Sequence, residues 1–371
     1  MSKTTSANKE RSRGAIIILG AQGFIGKHLR RRLCNDYTLH CVDVQPLTSL
    51  ESMVGSSAHD CEEYLYRYDL GDRDQIVELF EEIGAERLEK VVGVVHLAAY
   101  YDFKNQKDAR YDRLQQNLPE LIMAVERYVS DSAALIYASS MAAMAPTTPG
   151  KRLTEDSPRL GAWAYPQHKI MSEKLLEGTR INNPVVQLVL SGVYSDMCEL
   201  VPLFQQIERV RQGSLEAYFY PGEVAHGLTY VHVEDCADAF ARAVARYEGA
   251  NAGVYRLLIG EDEPVSYKTI HDRASRVFHG RRQPILPMPR GLAKLGAWGL
   301  GKLGSAFGKR RFIQPWMVDF AGEHFEFDLS TTRRELGWIA RHDLHERLDR
   351  ILQIAKHHPE LWLSINRARP W

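Results

Sequence analysis

Short runs of apolar, β-branched residues alternate with helix-length amphipathic segments through the first half of the chain. That rhythm is the pattern of a parallel sheet covered on both faces. It predicts strands over 15–20, 38–43, 63–69, 91–97, 133–139 and 185–191, with helices over 24–34, 72–83, 113–128 and 164–180. Right-handed crossovers between such strands give a doubly wound α/β fold. After Ser191 the rhythm loosens. A helix is expected over 200–211, a strand over 228–233, an amphipathic helix over 234–247 and a strand over 253–259; from Glu261 onward the pattern is mostly helical. Ligands of doubly wound folds sit beyond the carboxyl ends of the strands, so the later segments are the natural material for a lid over that edge.

With 371 residues the chain exceeds the usual size of one compact domain, which favours two lobes. The formal net charge is zero, which removes any electrostatic argument for nucleic acid as a partner. The five cysteines (34, 41, 61, 198 and 236) are scattered without CxxC or zinc-like spacing, pointing to a reducing compartment and no structural metal. Residues 1–13 are polar and charged and lack the apolar core of a signal peptide, so a disordered tail is expected there. No long uninterrupted apolar run predicts a membrane span, and a cytoplasmic location follows by default.

The segment from Ile16 to Gly26 reads as a buried strand, a glycine turn and a helix start. Gly20, Gly23 and Gly26 fall at steps of three, with Gln22, Phe24 and Ile25 between them. Glycines at this spacing let the backbone approach a pyrophosphate and let the helix pack closely on the strand. The helix N-terminus then turns its free N–H groups toward the phosphates. Asp43 ends the second strand, 23 residues after Gly20. A carboxylate there can accept both adenosine ribose hydroxyls and repel a 2′-phosphate. No Lys or Arg lies between Leu33 and Tyr66, so the cofactor expected is NAD rather than NADP. Asp69 and Leu70 close the third strand, where a side chain can reach the adenine amino group; Asp69 or Asp72 as a helix cap is an equal alternative.

Tyr165 and Lys169 stand four apart and share one helix face. A free phenol, with a pKa near 10, is a poor base at neutral pH. A neighbouring ammonium together with a nicotinamide cation would favour the phenolate, making Tyr165 a usable acid/base, while Lys169 also binds the nicotinamide ribose. Ser139 and Ser140 end the fifth strand at the ligand edge, where Ser140 can hold a substrate oxygen near the phenol.

In this joint order the chain resembles the extended short-chain dehydrogenase/reductase family, the NAD-dependent epimerases and dehydratases, over roughly residues 14 to 350. The glycine pattern GxxGxxG, the His96-Leu97-Ala98-Ala99 stretch, the 25-residue step from Ser140 to Tyr165 and the Leu336-Gly337-Trp338 segment carry the likeness. Leu97, Ala98 and Ala99 would lie beside the cofactor. Asn117 falls where the family keeps a helix asparagine that braces the active-site backbone. The resemblance implies a Rossmann lobe over 14–190, to which 228–260 returns, a smaller and mostly helical substrate lobe over 191–227 and 261–371, a small-molecule substrate, and a homodimer.

Within the family, dehydratases carry Asp-Glu directly after the strand-end Ser/Thr, whereas Met141-Ala142 stand here and transfer no proton. Leu228 occupies the approximate place of an arginine that binds the diphosphate of sugar nucleotides; Arg209, Arg211 or Arg256 are possible substitutes. Tyr165-Pro166 is similar to the form seen in the 3-beta-hydroxysteroid dehydrogenase-like branch. The reading is therefore an oxidoreductase interconverting a secondary alcohol and a ketone on a fairly apolar substrate. A sugar-nucleotide epimerase with tightly bound NAD and a non-catalytic dinucleotide-binding scaffold are the alternatives. Residues 290–312 interleave Leu292, Leu295 and Trp298 with basic residues. That suggests a lid, a dimer contact or a peripheral membrane contact.

Overall fold

The computed structural model describes residues 13–54, 61–100, 105, 108–306 and 315–367. Residues 1–12 of the tail expected over 1–13 lie outside them. Strands β1 (Ala15–Leu19), β2 (Thr38–Asp43), β3 (Glu63–Arg67), β4 (Val91–His96), β5 (Ala134–Ser140) and β6 (Pro184–Leu190) alternate with helices. These are α1 (Phe24–Leu33), α2 (Leu50–Val54), α3 (Arg73–Ile83), α4 (Ala85–Leu88), α5 (Ala109–Tyr128) and α6 (Ala164–Gly178). There follow β7 (Gly192–Tyr194), α7 (Val201–Arg211), β8 (Phe219–Tyr220), β9 (Gly227–Leu228), β10 (Tyr230–His232), α8 (Val233–Tyr247) and β11 (Gly253–Ile259). The chain ends with β12 (Val265–Ser266), α9 (Tyr267–His279), β13 (Leu286–Pro287), α10 (Arg290–Ala306), α11 (Ser330–Leu336), α12 (Leu344–His357) and α13 (Pro359–Arg367).

Seven strands form one parallel sheet in the order β11-β6-β5-β4-β1-β2-β3. The chain runs outward from β1 in one direction and then returns to run outward in the other, the doubly wound topology. All five residues of β1 and all seven of β6 are buried, as strands covered on both faces must be. On one face Leu29 and Leu33 of α1 pack with Phe240 and Val244 of α8. On the other, Ile76 and Phe80 of α3 pack with Leu121 and Val125 of α5. A further core of Phe204, Ile207, Ile270, Leu348, Ile351 and Trp362 belongs to α7, α9, α12 and α13.

Two boundaries differ from the sequence pattern. Helix α5 begins four residues before 113, because Asp108 caps it by accepting from the Arg110 N–H. The strand expected over 228–233 is two short pieces. At the break Thr229 turns both its N–H (2.9 Å) and its hydroxyl (3.0 Å) to the Phe325 carbonyl. Strand β9 then pairs antiparallel with β12, and β10 pairs parallel with β7, outside the main sheet.

Candidate active site

The turn after β1 requires glycine. Gly20 has φ +90°, and a Cβ there would lie 2.7 Å from the Ala98 nitrogen. At Gly26 a Cβ would lie 2.3 Å from the Gly20 carbonyl oxygen. Helix α1 opens with Gly23 as its N-cap, with no side-chain cap and no acid in its first turn. Its N–H groups and positive end are thus left for an external anion. Phe24 packs edge-on to His28, and Ile25 packs against the core. Asp43, at the tip of β2, stands beside this turn. Its carboxylate accepts the Gln22 N–H at 2.9 Å and the Gln45 N–H at 2.9 Å. The Gln22 side chain meanwhile reaches the Thr48 hydroxyl at 3.3 Å. One cation that the loop sequence did not reveal is Arg67, opposite Asp43 in β3, whose Nε donates to the Val44 carbonyl at 3.2 Å.

Past β3, Asp72 takes the cap of α3 by accepting from the N–H groups of Asp74 and Gln75. Asp69 accepts the Gly71 N–H at 2.8 Å, and its other oxygen stands 4.0 Å from Arg113. Leu70 is buried beside it. Asn117 Nδ2 donates to the carbonyls of Gly71 (2.8 Å) and Arg113 (3.1 Å), so it braces the backbone of the loop after β3. Residues two apart lie on different faces of a helix, and the α5 residue that touches α6 is Gln115, which accepts from the Ser172 hydroxyl at 3.0 Å. Leu97 continues the ladder beyond β4, its N–H bonded to the Leu19 carbonyl at 2.8 Å. Ala98 and Ala99 line a small cavity of about 40 Å³ together with Tyr165 and Lys169. Gly20 closes on Ala98, so the glycine turn adjoins a residue that lines this cavity, and Asp43 meets that turn through the Gln22 N–H.

Beside that cavity Lys169 is 6% exposed, and its ammonium donates to the Ala138 carbonyl at 2.6 Å and to the Tyr137 hydroxyl at 3.4 Å. Burial pulls its pKa down to about 8, opposed by the carboxylate of Glu173. The Lys169 nitrogen lies 5.8 Å from the centre of the Tyr165 ring. Burial pushes the Tyr165 phenol up to about 12, and a hydrogen bond with Ser140 opposes this. The expectation that the ammonium lowers the phenol is not met by the residues of the chain alone: desolvation outweighs it. A cation on the substrate side is left to do so. Alternation along β5 separates the two serines. Ser139 is buried and donates to Glu173, which also pairs with Arg159 and stands 3.6 Å from Arg256. Ser140 is the one that meets Tyr165.

From Met141, the residue after Ser140, outward opens a cavity of about 290 Å³, near the lower end for ligand pockets. Met141, Ala142 and Leu228 line it, as do Phe219 and Phe325. The Trp163 ring bridges Tyr165 at 5.6 Å and Trp316 at 5.3 Å, so the aromatic wall runs directly to the acid/base. Arg209, Glu216, Tyr220, Tyr267 and Glu323 supply its polar groups. Sequence reasoning did not find Trp163, Trp316 or Glu323, which come from segments without helical or strand periodicity in their apolar residues. Of the candidate substitute cations, Arg209 lines this cavity. Arg211 instead pairs with Glu208 at 2.7 Å, and Arg256 belongs to the Glu173 cluster. Tyr194 is buried in the core shared by α7, α9, α12 and α13, edge-on to Tyr230 and His232. The one group of three potential metal donors among the described residues is His232, Glu234 and His342. Both Nδ1 atoms are in use: His232 Nδ1 caps α8, and His342 Nδ1 meets the buried Asp235 at 2.9 Å, while His342 Nε2 stands 3.7 Å from Glu234.

An uncapped helix end behind a glycine turn, a carboxylate at the neighbouring strand end and a buried phenol are the parts of a dinucleotide-dependent enzyme of the Rossmann class. A family model for the NAD dependent epimerase/dehydratase family matches residues 16–257, and the chain belongs to that family. Among curated proteins no significant match is found. Solved structures with the same fold include the UDP-glucose-4-epimerase of Stenotrophomonas maltophila with bound NAD and formylated UDP-arabinopyranose. It is 19% identical with a TM-score of 0.67, covering 94% of this chain and 99% of that one. The dTDP-glucose 4,6-dehydratase of Bacillus anthracis in complex with NAD is 15% identical with a TM-score of 0.66, covering 95% and 100%. The UDP-glucose 4-epimerase of Bifidobacterium longum with NAD+ and UDP is 17% identical with a TM-score of 0.64, covering 93% and 99%. At these identities the likeness is one of fold. The cofactor the family uses, NAD, suits the residues present: Gly20, Gly23 and Gly26 leave room for a pyrophosphate, and Asp43 presents the carboxylate for an adenosine ribose.

Proposed function

We propose that this chain is an NAD-dependent oxidoreductase that interconverts a secondary alcohol and a ketone on a largely apolar substrate. Tyr165 takes the hydroxyl proton as the carbonyl forms and returns it in the reverse direction. Ser140 holds the substrate oxygen beside the phenol. Lys169 holds the nicotinamide ribose, and its charge favours the phenolate. NAD, when bound, accepts the hydride that leaves the carbon. Gln22, Phe24, Ile25, Asp69, Leu70, Leu97, Ala98 and Ala99 complete the cofactor cleft, and Asn117 acts as a positioning residue for the loop after β3.

The observation that carries this reading is the wall beside Ser140. Met141 and Ala142 offer no second acid/base, and Leu228 with the aromatic rings around it offers a diphosphate little to bind. The same reading includes a homodimer and a peripheral membrane contact. The latter is supported by α10, on which Leu292, Leu295 and Trp298 are 60%, 66% and 55% exposed beside Arg290 and Lys294. Among the described residues no helix is long and apolar enough to cross a membrane.

The test is net NADH formation from NAD with a panel of hydroxysteroids and long-chain secondary alcohols, beside UDP-glucose. Turnover of an apolar alcohol, lost in Tyr165→Phe while NAD still binds, supports the proposal. Interconversion of UDP-sugars with no net NADH would replace it with the epimerase reading. If Tyr165→Phe retained full activity, the assigned chemistry would be wrong.

A further inference from the structure

The apolar cavity contains one basic residue among its described lining, and that residue has no partner. Arg209 stands near the end of α7, partly buried, and makes no hydrogen bond or ion pair with any described residue. Its neighbours two positions away do otherwise: Arg211 holds Glu208 through two nitrogens, at 2.7 and 2.8 Å. Burial pulls the Arg209 pKa below its ordinary value, and the nearby Tyr220 and Glu216 only partly offset this. A guanidinium at the wall of an apolar cavity, with no hydrogen-bond or ion-pair acceptor among the described residues, keeps its donors available to a ligand that enters there. Its planar fork matches a carboxylate or comparable oxyanion in a bidentate pair.

We propose that Arg209 binds a single anionic group, of the carboxylate kind, on a substrate whose remaining body is apolar. This rests on the oxidoreductase reading above and refines its substrate to an amphipathic anion. The charge would sit in the part of the cavity lined by α7, away from the hydroxyl held by Ser140 and Tyr165. Glu216 attracts Arg209 without reaching ion-pair distance, and burial lifts Glu323 to about 7, so that it is largely uncharged in mildly acidic solution. The Tyr220 and Tyr267 phenols are raised by burial and stay neutral. A diphosphate would bring two or more charges to one cation, with Leu228 where a second is wanted.

The experiment measures binding, not turnover, so its outcome is separate from that of the NADH assay. With NAD-loaded protein at about pH 6, quenching of Trp163 and Trp316 fluorescence reports occupancy by decanoate, decan-1-ol or UDP. Decanoate should bind roughly tenfold or more tightly than decan-1-ol, the usual gain for a charge-assisted pair. Arg209→Met should bring decanoate to the level of decan-1-ol while leaving decan-1-ol within about twofold of its original affinity, and Arg209→Lys should keep part of the preference. Equal binding of the acid and the alcohol to the unmodified protein would overturn the proposal. So would a preference that survives Arg209→Met, or Arg209-dependent binding of UDP tighter than that of decanoate.

Discussion

Replacing Lys169 with methionine should leave the stability of the fold nearly unchanged at pH 7, change how that stability depends on pH, and remove the residue's chemistry. The ammonium is buried, and its pKa falls from the ordinary 10.5 to about 8. Each unit of that difference corresponds to about 1.4 kcal/mol, so the charged lysine opposes folding by roughly 3 kcal/mol at neutral pH. Methionine removes that charge but leaves the Ala138 carbonyl without its 2.6 Å donor, a loss of about 1–3 kcal/mol. The two effects nearly offset at pH 7, so the pH dependence is the sharper observable. Between about 8 and 10.5 the unfolded chain binds the proton that the folded one has lost. Wild-type stability therefore rises with pH across that window relative to the variant. Urea unfolding of both proteins at pH 7 and pH 10 should show the wild type gaining about 2–3 kcal/mol on Lys169→Met, and the variant should form no NADH. A stability difference that stays flat over this range, or moves the other way, would refute the reasoning.

Gly26→Ala places a methyl group 2.3 Å from the Gly20 carbonyl oxygen; the turn must shift, and NAD affinity measured by calorimetry should fall at least about tenfold. Asp43→Ala should loosen NAD and relax discrimination against NADP, the more so because Arg67 stands opposite; equal affinity of the unmodified protein for both cofactors would contradict the assignment. Glu173→Gln leaves Arg159 and Arg256 without their buried counter-charge. Thermal or urea unfolding should show a loss of about 3–5 kcal/mol, and a loss below about 1 kcal/mol would count against that account.

Strands buried on both faces carry near-continuous apolar runs, so β1, β2, β4, β5 and β6 were legible to within a residue or two. The glycine turn, Asp43, Ser140, Tyr165 and Lys169 were legible because their spacing is tied to strand ends and one helical face. What was not legible depends on tertiary direction. Ser139 and Ser140 are adjacent letters, yet the pleat sends one to the Glu173 cluster and the other to Tyr165. Asn117 and Gln115 share a helix, and only the packing angle of α5 against α6 decides which of them reaches it. The phenol's own environment raises its pKa because the depth of burial cannot be read from a Tyr-x-x-x-Lys pattern. The cavity wall was the least visible part: Trp163, Trp316 and Glu323 are brought together from segments more than 150 residues apart.

That separation divides the molecule's tasks along the chain. On the proposed reading, proton transfer would be anchored on β5 and α6, tied to the sheet through Ser139 and Glu173, whereas the surface offered to the body of a substrate is borrowed from α7, Leu228 and the stretch around Trp316. Substitutions in the borrowed pieces can accumulate without disturbing the anchored ones. A lineage built on this scaffold can thus change its diet while keeping its chemistry, and laboratory evolution of new substrate preferences should begin at Phe219, Trp316 and Phe325 and leave α6 alone.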